Sequence, residues 1–128
     1  MTEMDVPRPI RILVADDDQV LNHEIEVRLT QAGFLPVPVF DGNAAIEKLS
    51  EPFDLIVLDL IMPGVSGFEV LKEIQTRKIG TPVIVLSTLR QEEDVKRAEG
   101  LGAKECLSKA SASFMDDIVK YAEQLSEA

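Results

Sequence analysis

Five times along the chain a short, densely apolar run is followed by a longer segment whose apolar residues recur every three or four positions, and few architectures accept that alternation. The first run is Ile10-Arg-Ile-Leu-Val-Ala15, and behind it Leu21, Ile25, Leu29 and Ala32 make one helical stripe that Gly33 stops. Leu35-Pro-Val-Pro-Val39 is the second run, and Asp41 is placed to cap a helix reaching about Ser50. Asp54-Leu-Ile-Val-Leu58 is continuously apolar after its first residue, as a strand buried on both faces must be. Ser66 and Glu69 form a capping-box pattern for a helix carrying Phe68, Val70, Leu71 and Ile74. Pro82-Val-Ile-Val-Leu86 is the fourth run, followed by a charged helix lined by Val95, Ala98 and Leu101. Glu105-Cys-Leu107 is a brief fifth strand, and Phe114, Ile118, Val119, Ala122 and Leu125 stripe the last helix.

Five βα units with right-handed crossovers predict an α/β fold, a five-stranded parallel doubly wound sheet of strand order 2-1-3-4-5, the flavodoxin-like (βα)5 arrangement. Pro36 and Pro38 remove amide donors, and two such losses would break the ladders on both sides of a central strand, so the second strand belongs at an edge. With 128 residues and 45% apolar content, one domain over residues 1–128, its core about 10–127, buries enough surface to fold without disulfides. In such sheets ligands sit beyond the carboxyl ends of the strands, where the winding reverses between the first and third.

Charge and composition narrow the function classes. A net charge of −10 repels phosphate backbones and anionic lipid, so direct binding of nucleic acid or membrane by this segment is not expected. The lone Cys106 cannot form an internal bridge, and MTEMDVPRPI lacks the basic start and apolar run of a signal peptide, which together point to the cytoplasm. No apolar stretch approaches the roughly 20 residues of a membrane-spanning helix. Neither a G-x-G-x-x-G nor a P-loop pattern is present.

The polar residues at the strand ends carry the chemistry. The first strand runs into Asp16, Asp17 and Asp18, the third into Asp59, the fourth into Ser87 and Thr88, and the fifth into Ser108 and Lys109. Carboxylates from two neighbouring strands in one cleft are costly unless a cation or raised pKa values relieve them. Mg²⁺, or Mn²⁺, suits carboxylate, carbonyl and water oxygens and keeps room for a phosphoryl oxygen. Asp59 suits the role of nucleophile, since a carboxylate attacks phosphorus without deprotonation, and Lys109 with the Ser87 hydroxyl is suited to clamping the transferred group. Taken singly each residue has a plainer reading: Asp18 a helix cap, Lys109 a solvated charge, Ser87 a hydroxyl serving backbone. Their succession at strand ends is what speaks for a site.

The order Asp16-Asp17, Asp59, Ser87, Lys109 resembles the response-regulator receiver family of two-component signalling, chemotaxis-type single-domain receivers included, over nearly the whole chain. Its most specific piece is Leu58-Asp59-Leu-Ile-Met62-Pro63-Gly-Val-Ser-Gly67, joined to Gly102-Ala103 and Leu107-Ser-Lys109. The resemblance implies Asp59 as phosphoacceptor, Asp17 and Asp59 as direct Mg²⁺ ligands, Asp16 as a ligand through water, and the carbonyl of Ile61 completing the site. Ser87 and Lys109 would bind the phosphoryl group. It also implies a histidine kinase or phosphotransfer protein as donor, an output protein or effector domain as target, and a phosphorylation-dependent homodimer through the fourth helix, fifth strand and fifth helix. Its job would be signalling rather than turnover.

The chain departs from that family's pattern at several points. Thr88 stands where a small residue is usual, and its branched side chain is expected to crowd the phosphoryl site. Ile61 and Leu89, two past Asp59 and two past Ser87, cannot orient a water by hydrogen bonding, which predicts a long-lived phosphoryl form. Cys106 replaces the switch aromatic, so signalling is expected to run through the segment after Ser87 and the fourth helix. Ala110 replaces a proline whose preceding bond is cis, leaving either a strained cis bond or a rebuilt trans loop. Two rival readings stay open: a receiver-fold binding module that has lost phosphorylation, and a haloacid-dehalogenase-like phosphatase, whose chain order differs.

Overall fold

The structure, a computed structural model, describes residues 9–88 and 92–127. Leu89 and the start of MTEMDVPRPI, on which two expectations rest, lie outside the described residues. Strands β1 (Arg11–Ala15), β2 (Leu35–Val39), β3 (Leu55–Asp59), β4 (Val83–Ser87) and β5 (Glu105–Ser108) alternate with helices α1 (Gln19–Gln31), α2 (Gly42–Lys48), α3 (Gly67–Thr76), α4 (Glu92–Gly100) and α5 (Phe114–Glu127). All strand pairs are parallel and the order is β2-β1-β3-β4-β5, as the alternation predicts.

Successive strand residues point to opposite faces and therefore feed two cores. Leu13, Ala15, Ile56, Leu58, Val83 and Val85 pack with residues of α2, α3 and α4. Ile12, Val14, Leu55, Val57, Ile84 and Leu86 pack with Ile25 and Leu29 of α1 and Ile118 and Ala122 of α5. Both faces of the three central strands are thus covered, which is why they read as unbroken apolar runs.

β2 is the edge strand, but the reason differs from the one its prolines suggest. The Leu35 amide donates to Ile10 O at 2.9 Å, so the odd residues of β2 face β1. Pro36 and Pro38 are two apart and both turn their missing donors outward, so they remove bonds from one side only. One bare side is enough to place the strand at an edge.

Element ends follow local chemistry. Asp18 caps α1 by accepting from the Leu21 amide at 3.1 Å, Asp41 caps α2 through the Ala44 amide at 2.7 Å, and Ser66 caps α3 through the Glu69 amide at 3.3 Å. α1 closes as a Schellman turn: Gly33, at φ +93°, donates to Thr30 O, and Phe34 donates to Leu29 O. α2 ends at Lys48, two residues before the expected Ser50. β3 and β4 begin one residue later than the apolar runs suggested. Asp54 is not in the strand, its carboxylate accepting instead from the Arg11 amide at 2.9 Å, and Asp59 and Ser87 are the last residues of their strands.

Candidate functional site

The site is built where β1, β3, β4 and β5 end together. β1 delivers Asp16, whose every polar group is engaged. Its amide donates to Val39 O at 3.2 Å, continuing the ladder to β2, and its Oδ1 accepts from the Asp18 amide at 2.9 Å. Its carbonyl accepts from the Asn22 side-chain amide at 3.0 Å, and its Oδ2 lies 2.7 Å from Lys109 Nζ. Asp16 is fully buried while Asp17, the next residue, is exposed, so one carboxylate is fixed inside and its neighbour is presented at the mouth of the cleft.

β3 delivers Asp59, 3% exposed, whose Oδ1 accepts from the Ile61 amide at 3.4 Å. The Ile61 side chain points to solvent at 64% exposure. The loop beyond Asp59 turns sharply back, and Gly67 makes the turn feasible. Its amide donates to Leu60 O at 2.9 Å, and a Cβ there would overlap the Asp59 carbonyl and stand 2.7 Å from Leu60 Cα. A residue with any side chain would push the start of α3 away from the backbone of Asp59.

β4 and β5 deliver Ser87 and Lys109. The registers Asp59↔Leu86 and Ser87↔Ser108 set Ser87 one step beyond the level of Asp59, and Ser87 is 6% exposed whereas Thr88 is exposed. The Lys109 amide donates to Ser87 O at 2.9 Å, so the backbone of β4 holds the lysine. The described residues contain no cis peptide bond, so the Lys109–Ala110 loop is the trans alternative, and the ammonium still reaches 2.7 Å from Asp16 and 3.4 Å from Asp59. Cys106 is half-buried against the core under α3 and α4.

The electrostatics follow from this crowding. Burial, and then the Asp16 charge, push the Asp59 carboxyl up from 3.8 to about 7 against the opposing pull of Lys109. Burial disfavours the Lys109 ammonium, but Asp16 and Asp59 outweigh it and hold its pKa above the ordinary value. The Lys109 ammonium meets the carboxylates of Asp16 and Asp59, and with Asp17 these make a group of three in which one oxygen of each lies within 4.8 Å of the others. Asp16 Oδ2 is buried, and its partner among the described residues is the Lys109 ammonium at 2.7 Å. An excess of negative charge on closely set carboxylate oxygens fits a hard divalent cation.

The strand-end residues singled out in the sequence, Asp16, Asp17, Asp59, Ser87 and Lys109, all lie at this one end of the sheet. Asn22 was missed. The spacing of Leu21, Ile25, Leu29 and Ala32 predicts the buried stripe, yet Ala32 is exposed, Leu21 is half-buried, and Asn22 is 0% exposed alongside Ile25 and Leu29. Its signal was a polar residue three positions before Ile25, on the apolar face.

Residues 12–122 match the family model described as the response regulator receiver domain. Response regulator RR06 of Streptococcus pneumoniae is 43% identical over 101 residues, which are 78% of this chain and 46% of that protein. The transcriptional regulatory protein TctD of Salmonella typhimurium is 39% identical over 101 residues, 78% of this chain and 45% of that protein. The chain therefore spans less than half the length of these curated relatives. Among solved structures, the receiver domain of Francisella response regulator 1452 superposes with a TM-score of 0.84 at 30% identity, covering 94% of this chain and 98% of that one.

Proposed function

Since the chain belongs to the response regulator receiver domain family of two-component systems, we propose that it is a phosphorylation-dependent switch in which Asp59 accepts a phosphoryl group beside a bound Mg²⁺ or Mn²⁺. The observation that carries the reading is the placement of Asp59 at the end of β3, its carboxylate beside those of Asp16 and Asp17 and 3.4 Å from the Lys109 ammonium. Asp17 and Asp59 would hold the cation directly, Asp16 through water and Ile61 through its carbonyl, and the cation would supply neutralising charge to the phosphoryl oxygens. Asp59 attacks the phosphorus of a histidine kinase, a phosphotransfer protein or a small phosphodonor as the donor's own bond to phosphorus breaks. Lys109 and the Ser87 hydroxyl gather the new oxygens, and Lys109 leaves Asp16 to do so.

Phosphorylation adds charge and acceptor oxygens at strand ends whose loops lead into α3 and α4. A population shift of those loops then changes affinity for an output protein, an effector domain or a second copy of the chain. In this proposal residues 1–128 form one receiver unit working in the cytoplasm, with no direct contact to nucleic acid or membrane. No described helix is long and apolar enough to cross a membrane.

Intact mass after incubation with acetyl phosphate and Mg²⁺ tests the reading. One phosphoryl mass is expected on the parent, none on Asp59→Asn, and none without metal. Absence of an adduct on the parent, together with failure to bind beryllofluoride, would overturn it in favour of a phosphorylation-independent binding module.

A further inference from the structure

Asn22 is the one amide among the buried polar side chains, which otherwise comprise Asp16, Asp59 and Ser87 in the described residues. Its Nδ2 donates to three carbonyls: Val39 O at 2.9 Å, Asp16 O at 3.0 Å and Val14 O at 3.3 Å. The orientation of the amide is decided by those partners, because a flipped Oδ1 would face three carbonyl oxygens. Oδ1 itself is buried without a hydrogen bond. A leucine at this position would extend the stripe of Ile25 and Leu29 and leave no orphaned oxygen, so packing does not account for the residue.

The three carbonyls explain it. Val14 and Asp16 are the last rungs of β1 and the start of the acidic loop, and Val39 O, which also accepts from the Asp16 amide, is the end of β2. The carbonyl of Asp16 shares a rigid peptide plane with the amide of Asp17, so holding that oxygen sets the direction in which Asp17 leaves the strand. Asp17 is exposed, and among the described residues its carboxylate makes none of the bonds that fix Asp16.

We propose that Asn22 is a positioning residue for the cation site, holding the Asp16–Asp17 peptide so that the Asp17 carboxylate stands ready beside Asp59. The inference rests on the proposed Mg²⁺ site. Outer-shell groups of this kind are worth 10–100-fold in metal affinity, and that is the size of effect expected.

The test is calorimetric titration of Mg²⁺ into the parent, Asn22→Leu, Asn22→Ala and Ile25→Val, with thermal unfolding of each in EDTA. Ile25→Val is a cavity variant on the same buried face of α1. The expected result is an affinity about 10-fold or more weaker in both Asn22 variants, with Ile25→Val within about 2-fold of the parent. Asn22 variants that bind Mg²⁺ as the parent does would overturn the proposal while leaving the cation site standing. A parent that binds no Mg²⁺ would overturn the site reading itself, and this inference with it. Should both Asn22 variants fail to fold, NMR of the parent decides: the Asn22 side-chain amide protons must shift on Mg²⁺ addition, and unmoved resonances overturn the proposal.

Discussion

Replacing Asp59 by asparagine is expected to stabilise the metal-free protein, although it removes the proposed phosphoacceptor. The Asp59 carboxyl is raised from 3.8 to about 7, chiefly because its charge is buried and secondly because Asp16 is charged beside it. At about 1.36 kcal/mol per pKa unit, a rise of about 3 units means that ionised Asp59 costs the folded state about 4 kcal/mol at most. Asparagine keeps the shape without the charge, but it costs Lys109 its 3.4 Å contact and leaves only the 2.7 Å contact with Asp16. About half the ceiling, roughly 2 kcal/mol, is the expected gain, or about 6–8 °C in Tm for a domain of this size. The pH dependence has a definite sign. Below about pH 4 both folded and unfolded Asp59 are protonated, so the variant has no advantage. Between about 4 and 7 the folded carboxyl retains a proton that the unfolded chain has lost, so the parent loses stability as pH rises and the gap opens, reaching its full size above 7. Thermal unfolding followed by circular dichroism in EDTA at pH 4.5, 6 and 8 measures this. A variant no more stable than the parent at pH 8, or a gap independent of pH, would refute the reasoning. Saturating Mg²⁺ should narrow the gap, since the parent gains binding energy that the variant has mostly lost.

Lys109→Met removes a cation that touches two buried carboxylates, and should lower Tm in EDTA at pH 8 by about 5–10 °C, corresponding to roughly 2–3 kcal/mol, with Mg²⁺ restoring part of it. Gly67→Ala forces a methyl group into the backbone of Asp59 and Leu60, and a loss of about 2–3 kcal/mol is expected in denaturant unfolding, together with slower phosphorylation by acetyl phosphate. Ile61→Asn combined with Leu89→Glu supplies groups able to orient water, and should hasten loss of the phosphoryl mass by about 10-fold or more; an unchanged lifetime would count against the apolar pair as the cause of persistence. Arg97 of α4 lies over the Phe68 ring of α3 at 4.1 Å from its centroid, and a double-mutant cycle with Arg97→Ala and Phe68→Leu should return a coupling of about 0.5–1 kcal/mol.

Much of the molecule was legible in the chain because the physics that writes it there is local. A strand covered on both faces has no polar alternation, so Leu55–Asp59 and Val83–Ser87 announce a parallel sheet with helices on either side. The prolines of β2 select the edge, and capping residues such as Asp18, Asp41 and Ser66 mark helix starts because each bonds an amide within three residues of itself. Strand order then brings Asp16, Asp17, Asp59, Ser87 and Lys109 to one end of the sheet with no further information. What needed the tertiary structure was every property set by distance between residues far apart in sequence. The period of α1 does not tell an inward leucine from an inward asparagine when the amide's partners belong to two different strands. Nor does any spacing tell that Lys109 lies against Asp16 more closely than against Asp59, or that Asp59 is raised to about 7. Those facts depend on ångström differences across the sheet. Coulomb energies and desolvation change steeply over such lengths, whereas the hydrophobic pattern that directs folding hardly changes at all.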